Sequence, residues 1–140
     1  MAKINFYNQE VDFRLKEKAK IRKWILQVVE NEYKILGEIS YIFCTDTYLL
    51  DINQQYLKHN TYTDIVTFDY SEEGKICGDL FISIERVNEN AQKFSVNFEH
   101  ELKRVLVHGI LHLCGYKDKS EEDEKAMRAR EDYYLSLQTI

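Results

Sequence analysis

The string His108-Gly-Ile-Leu-His112-Leu-Cys-Gly115-Tyr-Lys-Asp118 constrains the fold of this chain more than any other stretch. Two histidines four apart on a helix lie about 40° apart around its axis and roughly 6 Å apart along it, so both imidazoles project from one face. Val105 to Leu113 is apolar on nearly every side, which demands a buried helix and carries the histidines inward with it. Gly115 then stands where helices commonly end in the left-handed conformation, which glycine adopts without a Cβ penalty. The chain can turn back there and bring Asp118 toward the two rings.

Spaced H-x3-H-x2-G-x2-D, these residues predict one divalent metal ion, zinc by the nature of the donors, held by His108, His112 and Asp118. Three protein ligands leave a coordination position open, which marks a catalytic more than a structural site. The carboxylate is a harder donor than imidazole and widens the tolerance to other divalent ions. The frame is that of the zinc peptidases with two changes. The third ligand is Asp, and Gly109 stands where H-E-x-x-H places the catalytic glutamate. A lone histidine on an apolar helix is ordinarily a hydrogen-bonded core residue; a second histidine, a glycine and a carboxylate at these intervals argue against that reading. Cys114 projects roughly opposite the line between the histidines. His100 lies two turns earlier, out of reach, and reads as a surface residue. His59, in Lys58-His-Asn60, reads as a solvated loop residue.

With 140 residues, 44% of them apolar, the chain is expected to form a single domain, residues 1–140, with a real core. No apolar run is long enough to cross a bilayer, so no membrane association is expected. The opening Met-Ala-Lys-Ile-Asn-Phe lacks the apolar core of a secretory signal. Cys44, Cys77 and Cys114 are odd in number and outside C-x-x-C spacing, which fits free thiols and a cytoplasmic protein. A net charge of −5 argues against coating nucleic acid by charge alone. It leaves room for a local basic surface from Arg14 to Lys23, although this run, like the acidic Glu121 to Glu124, reads first as a solvated helix face.

Ile4 to Tyr7 suggests a first strand. From Asp12 to about Glu32 a helix is expected, with Ile21, Trp24, Ile25, Val28 and Val29 at helical spacing and Gly37 ending the segment. Ile39 to Cys44 reads as a strand, and Thr45 or Asp46 as the cap of a second helix carrying Leu49, Ile52 and Tyr56 on one side. Ile65 to Phe68 and Ile76 to Ile84 read as strands around a Ser71–Gly74 loop. Glu85 to Phe94 is expected to be helical, Asn97 to cap the histidine helix, and Ser120 with Asp123 to open a final helix supported by Glu121/Lys125 and Glu124/Arg128 pairs. The order β-α-β-α-β-β-α-α-α implies an α+β domain: a small mixed sheet covered by helices, with a zincin-like metal-binding helix.

These residues resemble the YbeY-type endoribonucleases, a family of ribosomal RNA maturation factors. The hallmark H-G-x-L-H-L-x-G-Y-D-H is followed from His108 through Tyr116. Asn53-x-x-Tyr56 with Thr63-Asp64-Ile-Val-Thr-Phe68 is similar to the family's L-N-x-x-Y-R … T-D-V-L-S-F, and Gly78-Asp-Leu-Phe-Ile-Ser83 to its G-D-I-x-I-S strand. Arg104 occupies a position often filled by arginine. Three positions depart: Asp118 stands for the third histidine, Leu57 for the arginine after the tyrosine, and Tyr62 for a proline. The resemblance implies a cytoplasmic, metal-dependent endoribonuclease acting on single-stranded RNA in 16S rRNA 3′-end maturation and ribosome quality control. With Leu57 in place of arginine, Lys58, His59 or Arg104 is the cation available for phosphate contact, and Arg104 is the one candidate for a catalytic role.

A metal so held would polarise a scissile phosphodiester. Without the peptidase glutamate the proton acceptor stays open: a phosphate oxygen, direct attack by activated water, or the RNA 2′-hydroxyl as internal nucleophile all fit. Tyr62 and Tyr116 are candidates for base stacking, whereas Phe68 reads as core. The alternative from another class is a non-catalytic, metal-stabilised assembly factor that binds rRNA or small-subunit ribosomal proteins. A metallopeptidase ranks below both because nothing adjacent replaces the missing glutamate.

Overall fold

The computed structural model describes residues 3–57 and 63–137. Lys58, His59 and Tyr62 lie outside the described residues. Four strands and five helices alternate in the expected order: β1 (Lys3–Gln9), α1 (Lys18–Asn31), β2 (Ile35–Cys44), α2 (Asp46–Leu57), β3 (Ile65–Asp69), β4 (Lys75–Ser83), α3 (Ile84–Lys93), α4 (Phe98–Leu113) and α5 (Glu121–Ser136). The sheet runs β1-β2-β4-β3. β1, β2 and β4 are parallel, and β3 lies antiparallel to β4 at the edge. The domain is therefore α+β with a mixed sheet.

Side-chain alternation along the strands feeds two cores. Ile39, Tyr41 and Phe43 of β2 join Ile76, Leu80 and Ile82 of β4 beneath α1 and α4. On the opposite face Val66, Phe68 and Phe81 pack with Leu49 and Ile52 of α2. The Tyr41 hydroxyl donates to Leu106 O at 2.8 Å and ties the sheet to α4. Trp24 Nε1 donates to Tyr134 O at 2.8 Å and ties α1 to α5. No described helix is long and apolar enough to cross a membrane.

Several boundaries differ from expectation: β1 runs on to Gln9, β2 begins at Ile35 rather than Ile39, and the start of α1 and the role of Gly37 change. α1 starts at Lys18 rather than Asp12, after Glu17 in the left-handed region with φ 57°. The reason is visible in Val11, Phe13 and Leu15, which alternate with a period of two and pack on the core as extended chain. Gly37 does not end α1 either. The helix stops before Tyr33, which takes φ 59°, and Gly37 lies inside β2, where the register with β4 shifts. A Cβ at Gly37 would come within 2.8 Å of Ile76 O and 2.4 Å of Cys77 Sγ, so only glycine lets the two strands approach.

The turns and caps follow local chemistry. Glu73 and Gly74 both take positive φ between the reciprocal Glu72–Lys75 hydrogen bonds, a two-residue hairpin turn of the primed kind. Thr45 Oγ1 accepts from Tyr48 N, Asn97 Oδ1 from His100 N, and Ser120 Oγ from Asp123 N, capping α2, α4 and α5. Neither of the α5 pairs expected from Glu121 and Glu124 closes among the described ion pairs; Arg128 instead approaches Glu131 at 4.0 Å.

Candidate metal centre

α4 is buried along most of its length, and Gly109 explains how it lies so close to the sheet. A Cβ there would fall 2.1 Å from Leu80 Cδ2 and 2.9 Å from Ile65 Cδ1. A glutamate at this position would have to enter the apolar interface with β3 and β4. The same close packing leaves His108 and His112 at the rim of the core, 20% and 28% exposed, with ring centroids 4.8 Å apart.

The helix ends as the glycine demands. Gly115 takes φ 111°, its N–H donates to His112 O at 3.0 Å, and Tyr116 N–H donates to Leu111 O at 3.0 Å. This paired pattern is the Schellman closure, and it reverses the chain. The Tyr116 hydroxyl then donates to Glu32 Oε1 at 2.8 Å and accepts from Arg130 Nε at 3.0 Å, fixing the loop to the end of α1 and to α5. Its hydroxyl is thus engaged on the side of Glu32 and Arg130, and its ring packs on the main core. Two residues on, Asp118 Oδ2 lies 3.3 Å from His112 Nε2 and 3.6 Å from His108 Nε2. One ligand atom from each of the three residues lies within 4.8 Å of the other two, so the cluster can hold a metal ion.

Behind the cluster stands a set of charges built on Arg104, whose two buried glutamate partners sequence reasoning missed. His108 Nδ1 lies 2.6 Å from Glu131 Oε2. With a carboxylate as acceptor, Nδ1 carries the proton, which leaves the Nε2 lone pair facing Asp118 and His112. Glu131 Oε1 accepts from Arg104 Nη1 at 3.0 Å, and Arg104 Nε donates to Glu101 Oε1 at 3.0 Å, with a second bond from Nη2 to Glu101 Oε2. Glu101 and Glu131 are each 1% exposed. Burial alone would raise the Glu131 carboxyl; the hydrogen bond from His108 and the charge and hydrogen bond of Arg104 outweigh it and hold its pKa below the usual glutamate value. Burial pulls Arg104 down, but Glu101 and Glu131 raise it above its ordinary value. The signal for Glu131 was present in the sequence. Met127, Glu131 and Tyr134 are the buried residues of α5 and stand at i, i+4 and i+7, so the glutamate occupies a core stripe. Glu131→Ala is expected to weaken divalent-metal affinity roughly 10–100-fold, the usual cost of losing an outer partner of a histidine ligand. Chelator competition on the purified protein measures it.

The cluster opens into a groove of about 550 Å³ walled by Asn53 of α2, Thr63 to Thr67 and Asp69 around β3, and Leu113 of α4. Desolvation pushes the Asp64 carboxyl up, against the opposing charge of the Arg104 guanidinium. Arg104 itself is not among the groove-lining residues; its guanidinium faces the two glutamates. Cys114 caps α4 away from the ligand cluster, and burial pushes its thiol up to about 12. His100 is exposed in the first turn of α4.

The stretches that build this groove are far apart in sequence. The model of the family described as "Endoribonuclease YbeY" matches residues 3–138. The chain belongs to the YbeY endoribonuclease family. It is 56% identical over 131 residues to the Endoribonuclease YbeY of Flavobacterium psychrophilum, covering 94% of each chain. It is 52% identical over 134 residues to that of Flavobacterium johnsoniae, covering 96% of each. Among solved structures, the solution structure of TM1509 from Thermotoga maritima superposes with a TM-score of 0.65 at 26% identity, over 97% of this chain and 89% of that one. The YbeY-like blocks meet in space: Asn53, Thr63 to Thr67 and residues of the His108–Asp118 segment enclose one groove. Gly78 of the third block permits the closeness of β3, since a Cβ there would lie 2.7 Å from Phe68 O.

Proposed function

We propose that this YbeY-family chain is a metal-dependent endoribonuclease that cuts single-stranded RNA, with His108, His112 and Asp118 holding one zinc ion. The observation that carries the reading is the convergence of three ligand atoms at the floor of an open groove, with His108 oriented from behind by a buried carboxylate. The donor set fits a borderline ion that accepts both imidazole and carboxylate. When bound, such an ion supplies a Lewis acid for the phosphodiester. The chain's own residues do the rest. Glu131 keeps the Nδ1 proton of His108 in place, Tyr116 fixes the loop that brings Asp118 in, and β3 supplies the opposite wall for the substrate. Gly109, closed against Leu80 and Ile65, leaves the site without a peptidase's adjacent carboxylate.

In the cell we assign it to the cytoplasm, to the 3′-end maturation of the 16S rRNA precursor and to ribosome quality control, with small-subunit proteins as further partners. The fold as a single unit over residues 1–140 belongs to the same reading. Purified protein loaded with zinc is expected to cut unpaired oligoribonucleotides in preference to duplex RNA, because an A-form helix cannot present its backbone to the floor of a groove. Chelator should stop the cleavage, and unstructured peptides should stay intact. RNA binding without cleavage under any divalent metal would move the protein to the assembly-factor class; casein hydrolysis abolished by His108→Ala would move it to the peptidases.

Asp118→His tests the third ligand. The exchange supplies the family's usual donor at a position already placed between the two Nε2 atoms, so zinc affinity is expected to be retained or increased. A folded variant without metal would remove Asp118 from the ligand set.

A further inference from the structure

β3 is the last strand of its sheet, so one of its edges has no neighbouring strand. The register identifies that edge. Ser83 N–H donates to Asp64 O at 3.0 Å and Tyr70 N–H donates to Cys77 O at 2.9 Å, while Ile65 pairs with Ile82 and Thr67 with Leu80. Bonded and non-bonded pairs alternate along an antiparallel ladder. Val66 and Phe68 therefore turn their N–H and C=O toward β4, and Ile65, Thr67 and Asp69 turn theirs away from it. The Ile65 carbonyl accepts a long bond from the Thr63 hydroxyl at 3.4 Å. The N–H and C=O of Thr67 have no partner among the described residues. Both belong to a residue that lines the groove with His108 and His112.

An open edge invites pairing, and the charge of the groove selects what pairs. Asp64, Asp69 and Asp118 line it, and no described lysine or arginine does. A run of phosphates is repelled from such walls except at the ligand cluster, where a metal ion compensates one of them. A base is neutral and carries a donor beside an acceptor on its Watson–Crick edge, complementary to the N–H and C=O of one extended residue. We infer that the free edge of β3 at Thr67 is a base-binding subsite, which takes the Watson–Crick edge of an unpaired nucleotide beside the scissile phosphate.

This inference rests on the nuclease reading given above and deepens it. A base already paired in a duplex has that edge occupied, so the subsite makes strandedness part of recognition. Every base offers a donor next to an acceptor, so the same contact tolerates sequence. An extended peptide could also add to the edge, but it brings no phosphate to the ligand cluster.

The test uses zinc-loaded full-length protein and a single-stranded oligoribonucleotide carrying one abasic ribose at successive positions around the cut. One position next to the cut is expected to raise KM about 10–100-fold, the scale of the two hydrogen bonds lost with the base, and the others to leave it unchanged. Thr67→Pro removes the outward N–H without breaking a ladder bond, which an edge strand accepts. It is expected to raise KM on the intact oligonucleotide about tenfold, to shrink the sensitivity to that abasic position to what the remaining carbonyl bond supplies, and to keep its metal content. Equal KM across the whole abasic series in the wild type would leave the edge to another occupant, such as a peptide strand, and overturn the subsite while the nuclease reading stood. If Thr67→Pro does not fold, the wild-type series decides alone. Absence of cleavage of every oligonucleotide would overturn the nuclease reading and the subsite together.

Discussion

Arg104→Met is expected to destabilise the fold by about 3–5 kcal/mol, the cost of removing one partner from a buried ion pair. The side chain is 12% exposed and lies between two carboxylates that are almost completely buried. With the guanidinium gone, Glu101 and Glu131 face one another in an apolar setting with a single histidine left to bond one of them. Thermal or urea unfolding measures the loss. If Arg104 instead contacted phosphate, the variant would keep its stability and lose RNA affinity alone. The two outcomes separate a strut from a catalytic residue.

The same cluster fixes the sign of the pH dependence. Glu131 sits below the usual glutamate value of 4.5 in the folded protein. Its contribution is therefore complete above that value and is lost as pH falls through the lower folded one. Replacing all three charges, as Glu101→Gln, Arg104→Met and Glu131→Gln together, should recover part of the stability that Arg104→Met loses, because no unpaired buried charge remains. It should also flatten the acid limb of the stability profile. Metal affinity should not recover with it, since the neutral amide at position 131 is a poorer acceptor for His108 Nδ1–H. Separate behaviour of stability and metal affinity in this triple variant is the signature of a cluster with two duties.

Local signals in the chain were strong where one residue type admits one conformation. Gly115 after the second histidine foretold both the end of α4 and the return of Asp118, and Asn97 and Ser120 marked helix starts that their side chains indeed cap. The spacing of Leu49, Ile52 and Tyr56 and the run from Ile76 to Ile84 were enough to place α2 and β4, although β4 ends at Ser83. Signals were weak where tertiary contact decides. Gly37 looks like a helix stop, yet its role is to let Cys77 and Ile76 approach β2, which no local pattern announces. Glu131 lies in a helix whose polar composition suggests a solvated surface, and its burial follows from the position of α4 beneath it. Its core-stripe spacing with Met127 and Tyr134 becomes legible only when a charged residue is allowed to stand among apolar ones. The edge of β3 is a backbone property and has no side-chain signature at all; it needs the strand order before it can be read.

His112→Ala is expected to abolish tight metal binding and, with it, RNA cleavage, while leaving the fold intact. The imidazole is 28% exposed, is not part of the Glu101–Arg104–Glu131 cluster, and contributes little to the core. Its Nε2 lies 3.3 Å from Asp118 Oδ2, within the proposed ligand set. Two remaining protein ligands fall short of the three that a catalytic zinc site requires, so the loss should exceed the roughly 10–100-fold expected for Glu131→Ala. Mass spectrometry under non-denaturing conditions, with elemental analysis, counts the metal per chain. His100→Ala is the matched control, because that histidine lies in the first turn of the same helix, exposed and outside the cluster. It should bind one equivalent and cleave as the wild type does. A folded His112→Ala protein that still carried one equivalent would mean that the ion sits elsewhere, and the assignment of His108, His112 and Asp118 would fall.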